Sequence, residues 1–477
     1  MVGCRGLKAP NFLSYHNVYA GELFVSNRNV LMQNSEAVTN APALEPPIPA
    51  VSNRSALLIV FLVVFIDLLG FGIVLPMLPV IGDKYVAEIL GPNRDPKVEG
   101  LIIGLLMASF SLMQFLFAPG WGRLSDRSGR RPILLLGLIG SVVFYALFGY
   151  AASLPAEAAT LALVLLFVAR SGAGLAGATI STAQAVIADS TPPEKRKHGM
   201  ALIGAAFGIG FTFGPLIAFG SLTFFPNHLE AIGYTASALS LIALCLGLKL
   251  LPETRRFETA PTQKRKIIDF SAVKKALGSA AIGPVILTFF LASLGFGAFE
   301  TTLALLLKEV FGFKDTNTFL AFAYIGFVLM LTQGVFYRRL AKRVSEVTFM
   351  TMGLLFMAAG VGGLGAVTVI GTNMHDAAAQ PLPFAMTMGL GLALTLSVIG
   401  FAFVTPSAQA LVSRRTDANQ QGEILGVNQS ASAMARILGP ILGVVLYKST
   451  ATHLLPYAFG AVLLLLMLPM MPRIRRG

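Results

Sequence analysis

Charge is what this sequence has least of. Of its 477 residues only 12% are Asp, Glu, Lys or Arg, about half the share of a typical soluble domain. With 55% hydrophobic residues, the chain lacks the polar skin that a water-exposed globule of this size requires. Composition therefore excludes a soluble protein and indicates an integral membrane protein. Cysteine is equally scarce. Cys4 falls in a polar stretch and Cys245 in an apolar run, which leaves neither a disulfide framework nor a cysteine metal site. The five histidines, His16, His198, His228, His375 and His453, lie in tails, between apolar runs or at their edges. No buried cluster is on offer for zinc or a proton relay. Without reactive groups gathered at one depth, the pattern argues against a membrane-embedded enzyme. Acids are the rarer sign: 36 Lys and Arg stand against 23 Asp and Glu, a net +13. In so apolar a chain the excess points to the anionic face of a lipid bilayer, not to nucleic acid.

Long apolar sequence is what the chain has in abundance. Twelve runs, at 56–80, 99–121, 132–152, 159–187, 198–220, 231–251, 281–308, 317–339, 347–371, 383–411, 423–447 and 453–472, each have the roughly 20 residues that cross a bilayer as a helix. None alternates as a barrel strand does. The expected fold is all-α and integral to the membrane, with twelve transmembrane helices. Residues 1–55 are polar and contain Pro42, Pro46, Pro47 and Pro49; they read as a disordered tail, or Met32 is the start and 1–31 are an extension. A basic connection at 252–280 divides the spans into bundles at 56–251 and 281–472, and 473–477 form a basic tail. Within the connection Ile267, Phe270, Val273 and Leu277 recur at helical spacing, which suits either a short helix on the membrane surface or a solvated linker. The halves echo each other. Gly214-Pro215 matches Gly439-Pro440, and Arg123-Leu124-Ser125-Asp126-Arg127 matches Arg339-Leu340-Ala341-Lys342-Arg343, as in a duplicated, pseudo-symmetric transporter. Lys and Arg number 27 on one side of the membrane and six on the other, so both termini are expected in the cytoplasm.

Four charges fall inside spans: Asp67, Arg170, Glu300 and Arg436. Each costs roughly 2.5–3.5 kcal/mol at mid-bilayer and so must face protein or a watery cavity. Asp67 sits beside Gly70 and Gly72 and ahead of Pro76 and Pro79, which bend the span. It is a candidate proton carrier. Arg170, followed by Gly172, Gly174 and Gly177 that leave room beside it, suits a substrate anion or the tuning of a carboxylate. Glu300 is a candidate second titrating site, and Arg436 reads as structural. Gly204, Gly208, Gly210 and Gly214 form small-x-x-x-small pairs for tight helix crossing.

At Gly122-Arg123-Leu124-Ser125-Asp126-Arg127-Ser128-Gly129-Arg130-Arg131-Pro132 the chain resembles the loop 2–3 motif of the major facilitator superfamily. Gly122 would permit close approach, Asp126 supply the acid, Arg127, Arg130 and Arg131 the cationic latch, and Gly129 the turn. Arg170 to Gly177 with Asp189, Gly204 to Gly214-Pro215, and the Asp67 segment resemble motifs of the twelve-helix drug:proton antiporters, tetracycline and multidrug efflux carriers among them. In the second half Lys342 replaces the loop aspartate, so a symmetrical clasp is not expected there. The resemblance implies a monomer of the plasma membrane that exports a small amphipathic substrate in exchange for protons, with no cofactor or metal. Asp67 and Glu300 would titrate and Arg170 couple. Asp126, Arg127 and Asp189 would stabilise the inner gate, and Gln114, Gln333, Asn428 and Gln429 give polar contacts in the cavity. A proton-coupled uptake symporter is the alternative, and a non-transporting receptor or scaffold a more distant one.

Overall fold

A computed structural model describes residues 54–190, 196–254, 270–373, 383–416 and 421–476. The polar tail with Met32, most of the basic connection with Ile267, and the side chains of Asp67 and Gly204 lie outside the described residues. Every described element is helical. The first half comprises α1 (Arg54–Val74), α2 (Leu78–Leu90), α3 (Pro96–Ser128), α4 (Arg130–Ala152), α5 (Ala159–Gly177), α6 (Ile180–Asp189), α7 (Arg196–Phe224) and α8 (Glu230–Leu250). After the connection come α9 (Phe270–Gly278), α10 (Gly283–Glu309), α11 (Asp315–Leu331), α12 (Glu346–Asn373), α13 (Phe384–Arg414), α14 (Gln421–Lys448), α15 (Leu455–Leu465) and α16 (Met471–Arg476).

Ten helical segments among the described residues are long and apolar enough to cross a membrane, and eleven if α1 and α2, bent by 43° around Met77, form one broken span. The bend falls between Pro76 and Pro79, where ring closure removes backbone N–H donors. A second break, at Ala178 and Thr179, divides the expected fourth run into α5 and α6. Exposed apolar side chains recur along one helix face, for example Leu161, Val164 and Val168 on α5. Such a stripe is what lipid would cover.

Glycines fix where backbones meet. Gly210 and Gly214 of α7 sit on Leu68 and Gly72 of α1, and a Cβ on Gly214 would lie 2.8 Å from the Gly72 carbonyl carbon. Gly208 meets nothing within 4 Å, so the crossing uses the Gly210/Gly214 pair and not the one ending at Gly208. In the second half, Gly439 and Gly443 of α14 rest on Leu294 and Ala298 of α10. Pro215 and Pro440 are each taken up inside their helix. Across the connection, α3 packs on α14, α7 on α11, and α2 on α10. Gly100 and Gly104 of α3 lie against Val445 and Ile441, while Gly326 of α11 lies against Phe211 and Thr212. Short α9 packs on α14 and α10 with Ala276 fully buried and Leu277 exposed, so this part of the connection is a docked helix.

Candidate functional site: two ionic clasps and the charges between them

The charged turn after α3 is built around Arg130. Gly129 adopts φ +100°, a left-handed value that favours glycine, and a Cβ there would meet the Glu253 carboxylate at 2.5 Å. Arg130 is nearly buried. Its Nη1 donates to Asp126 and to Ser125 Oγ, both at 2.7 Å, and its Nε to Asp189 at 3.1 Å. Glu253 accepts the backbone N–H groups of Arg130 and Arg131 at 2.9 and 3.1 Å, and Arg131 donates to the Leu248 carbonyl at 2.6 Å. The latch therefore joins the ends of α3, α4, α6 and α8. Arg123 bonds only the Pro119 carbonyl of its own helix. Arg127 is exposed, with no partner among the described residues. Gly122 meets nothing closer than Ser181 Oγ at 3.7 Å, an ordinary contact, so the close approach expected there does not occur.

A second network occupies the opposite helix ends. Lys448 closes α14 and reaches Asp83 of α2 at 2.8 Å, Glu99 of α3 at 3.1 Å and Glu309 of α10 at 3.0 Å. Arg94 holds the other Glu99 oxygen at 2.6 Å. His453 stacks on Tyr447, with centroids 4.2 Å apart, and lies 4.0 Å from Glu309. Lys448 is only 10% exposed and Glu99 3%, so these charges attract through less solvent than surface pairs do. The clasp links helices from before and after the connection. Sequence reasoning missed it, because each member stands at a span edge and reads as a loop charge.

Between the clasps, Arg170 of α5 is 1% exposed. Its guanidinium carbon lies 4.8 Å from the Phe110 ring centroid and 5.6 Å from that of Phe71, a cation–π arrangement. Phe211 joins Phe71 at 5.8 Å. No hydrogen-bond acceptor among the described residues reaches any Arg170 nitrogen. Asp67 lies one turn before Phe71 on α1, so the two positions share a helix face. The glycines after Arg170 do not leave a void: a Cβ on Gly174 would lie 2.3 Å from the Phe110 carbonyl oxygen, and one on Gly172 would strike the Phe144 ring. They permit close packing of α5 on α3 and α4.

In the second half Glu300 of α10 and Arg436 of α14 are within electrostatic reach of each other but form no ion pair. Gln429 is exposed and Gln333 half-buried in a π-turn at Thr332–Tyr337 that continues α11. Gln114 donates to the Gly177 carbonyl at 3.2 Å, which ties it to the α5–α6 break. Asn428 is 1% exposed, and no described residue bonds its amide. Together the described residues hold a clasp at each end of the helices and isolated charges between them. No group of three or more His, Cys, Asp or Glu among them is placed to hold a metal ion.

A family model described as Major Facilitator Superfamily matches residues 60–399. The chain is 30% identical over 429 residues to the class C tetracycline resistance protein of Escherichia coli, covering 89% of this chain and 98% of that protein. It is 28% identical over 465 residues to the mouse (Mus musculus) major facilitator superfamily domain-containing protein 10, covering 90% and 94%. Among solved structures, the human organic anion transporter MFSD10 (TETRAN) superposes with a TM-score of 0.60 at 26% identity, over 90% of this chain and 100% of that one. The D-xylose-proton symporter, at a TM-score of 0.71 and 15% identity over 88% and 97%, shares the fold.

Proposed function

Because the chain belongs to the Major Facilitator Superfamily and is a multi-span membrane transporter, not an enzyme, we propose that it exports a small amphipathic compound in exchange for protons by alternating access. The observation that carries this reading is the pair of ionic clasps at opposite helix ends with lone charges between them. Alternating access requires two gates that are not open together, and charges at mid-depth have a use only if a ligand or proton reaches them. Relatives named for tetracycline resistance favour efflux of an amphipathic compound.

In this reading twelve crossings form two six-helix bundles in the plasma membrane, and the protein acts as a monomer. The eleven spans are completed by α7, whose 29 residues are long enough to cross. The matching contacts of Gly214 with α1 and Gly439 with α10 support a duplicated bundle. Both termini are cytoplasmic, as the distribution of Lys and Arg requires, which puts the Arg130 latch inside and the Lys448 clasp outside. Asp67 and Glu300 exchange protons, and Arg170 couples them to substrate. One charge moving through 100 mV is worth about 2.3 kcal/mol, enough for roughly a fifty-fold substrate gradient.

The test uses inside-out vesicles with an acid interior and a pH-sensitive dye, to which tetracyclines, quaternary ammonium dyes and sugars are added in turn. The expected result is proton release driven by at least one amphipathic compound and abolished in Asp67→Asn. Protons moving in the same direction as substrate would make the protein a symporter. Release that persists in Asp67→Asn would remove that residue from the coupling.

A further inference from the structure

We infer that His453, in the turn between α14 and α15, is a proton-binding site of the Lys448 clasp: a proton taken up at its Nε2 adds an ion pair to Glu309 and holds this end of the helices together. The inference rests on the reading of the clasp as a gate and gives that gate a ligand.

The turn fixes the imidazole in one orientation. α14 ends at Lys448 and α15 begins at Leu455. Between them His453 stands at φ +52°, a left-handed value that few side chains other than asparagine, aspartate and histidine adopt readily. Its backbone N–H donates to the Thr450 carbonyl at 3.1 Å, and its ring lies parallel to that of Tyr447, 4.2 Å away and inclined by 11°. Nδ1 is 2.9 Å from the Tyr447 carbonyl oxygen. A carbonyl can only accept, so Nδ1 carries the hydrogen and the neutral ring presents a bare lone pair at Nε2. That nitrogen faces Glu309 Oε2 at 4.0 Å, beyond hydrogen-bond length, as two facing acceptors should be. A proton at Nε2 turns one of them into a donor and lets the pair close.

The proton is received inside the clasp and not beside it, because the other Glu309 oxygen already accepts from Lys448 at 3.0 Å. Asp83 of α2 and Glu99 of α3 face the same ammonium, and Arg94 holds Glu99. Lys308 is turned to Asp315 of α11 and Lys84 lies over the Tyr85 ring. The phenols of Tyr447 and Tyr457 are within electrostatic reach of Glu309, and phenols ordinarily carry no charge below about pH 10. Among the described residues, then, Asp83, Glu99 and Glu309 oppose Lys448 and Arg94 and leave one negative charge in excess. A proton on His453 balances it. The His453 and Glu309 side chains are 20% and 29% exposed, open enough for solvent protons to arrive yet less screened than a surface pair. The added contact between α10 and the turn after α14 is present in acid and lost as pH rises. In the orientation proposed above this end faces outside, so a proton arriving from there closes the gate behind itself, the order that exchange requires.

Double electron–electron resonance on the purified full-length protein tests this. Spin labels are placed by Ile89→Cys at the end of α2 and Asn317→Cys at the start of α11, both exposed, with Cys4 and Cys245 replaced by serine. The label separation reads the ratio of closed to open molecules at this end. That ratio is expected to be about fivefold higher at about pH 5 than at about pH 8, the range over which histidine changes charge. His453→Asn keeps a side chain that tolerates the left-handed backbone and should reduce the change to less than about twofold. Glu309→Gln keeps His453 but removes its partner and should lose the change as well; it decides the matter if His453→Asn does not fold. A separation indifferent to pH in the otherwise unaltered chain overturns the inference. So does a response that survives in either variant, which would put the proton on Asp83 or Glu99. The measurement requires neither substrate nor flux. A His453-dependent response in a protein without proton-coupled flux would sink the antiport reading alone, and coupled flux with a pH-indifferent end would sink this inference alone.

Discussion

Arg130 shows what one side chain must do in the latch after α3. Its Nη1 and Nε point in different directions and satisfy Asp126, Ser125 and Asp189 together, a fan of donors that a lysine ammonium cannot reproduce. Arg130→Lys is therefore expected to reduce transport about tenfold without loss of membrane insertion, measured as substrate uptake into vesicles at matched protein level. Equal uptake would show that charge alone suffices. Gly129 carries a different constraint. An alanine at φ +100° costs roughly 1–2 kcal/mol in a left-handed backbone, and it must also displace the Glu253 carboxylate, which anchors two backbone amides. Gly129→Ala should lower the Tm of the purified protein and slow transport; an unchanged Tm would mean the turn relaxes freely. Arg170 poses the reverse case, a charge packed against Phe71 and Phe110 at a site legible from sequence because charge inside an apolar run stands out.

At the scale of helices, the Lys448 clasp and the close packing of α3 on α14 are one device. Gly100 and Gly104 bring the backbones together, and Lys448 then pairs with carboxylates from three other helices. Removing the ammonium leaves Asp83, Glu99 and Glu309 repelling one another across the seam. Lys448→Met should shift the population toward opening at this end by about tenfold, near 1.4 kcal/mol. The readout is the labelling rate of a single cysteine at position 441 by a membrane-impermeant maleimide, with Cys4 and Cys245 replaced by serine. Gly104→Leu should open the same end by steric means, since a Cβ there already lies 2.7 Å from the Ile441 Cα. If neither variant changes labelling, the network does not hold the gate.

For the molecule as a whole, the lateral contacts of α3 with α14, α7 with α11 and α2 with α10, together with the Lys448 clasp, join the parts before and after the connection. If they suffice, the covalent link between the halves contributes mainly effective concentration, a term that grows only slowly with loop length. Residues 1–260 and 261–477, co-expressed as separate chains, are expected to retain at least about a third of whole-chain transport in vesicles. No transport from two membrane-inserted halves would assign the connection a larger part. Part of that connection is more than a tether, because α9 docks on α10 and α14 with Ala276 buried.

The sequence by itself determined the membrane class, the helical spans, the loop signature and the isolated charges. Each of these is written in consecutive residues: an apolar run, a glycine where φ must be positive, an ionised group where lipid would surround it. Only the tertiary structure decided which faces meet. A helix that is apolar all round has no stripe to show its inner side, so the crossing at Gly210 and Gly214, and not at Gly208, was invisible. Lys448 reads as a loop charge until folding brings Asp83, Glu99 and Glu309 to it from helices more than a hundred residues away. Glu253 likewise meets the turn at Gly129 only once α4 and α8 pack together. Burial cost makes a charge conspicuous in one dimension, but its partner is set by helix rotation and by which backbones can approach in three.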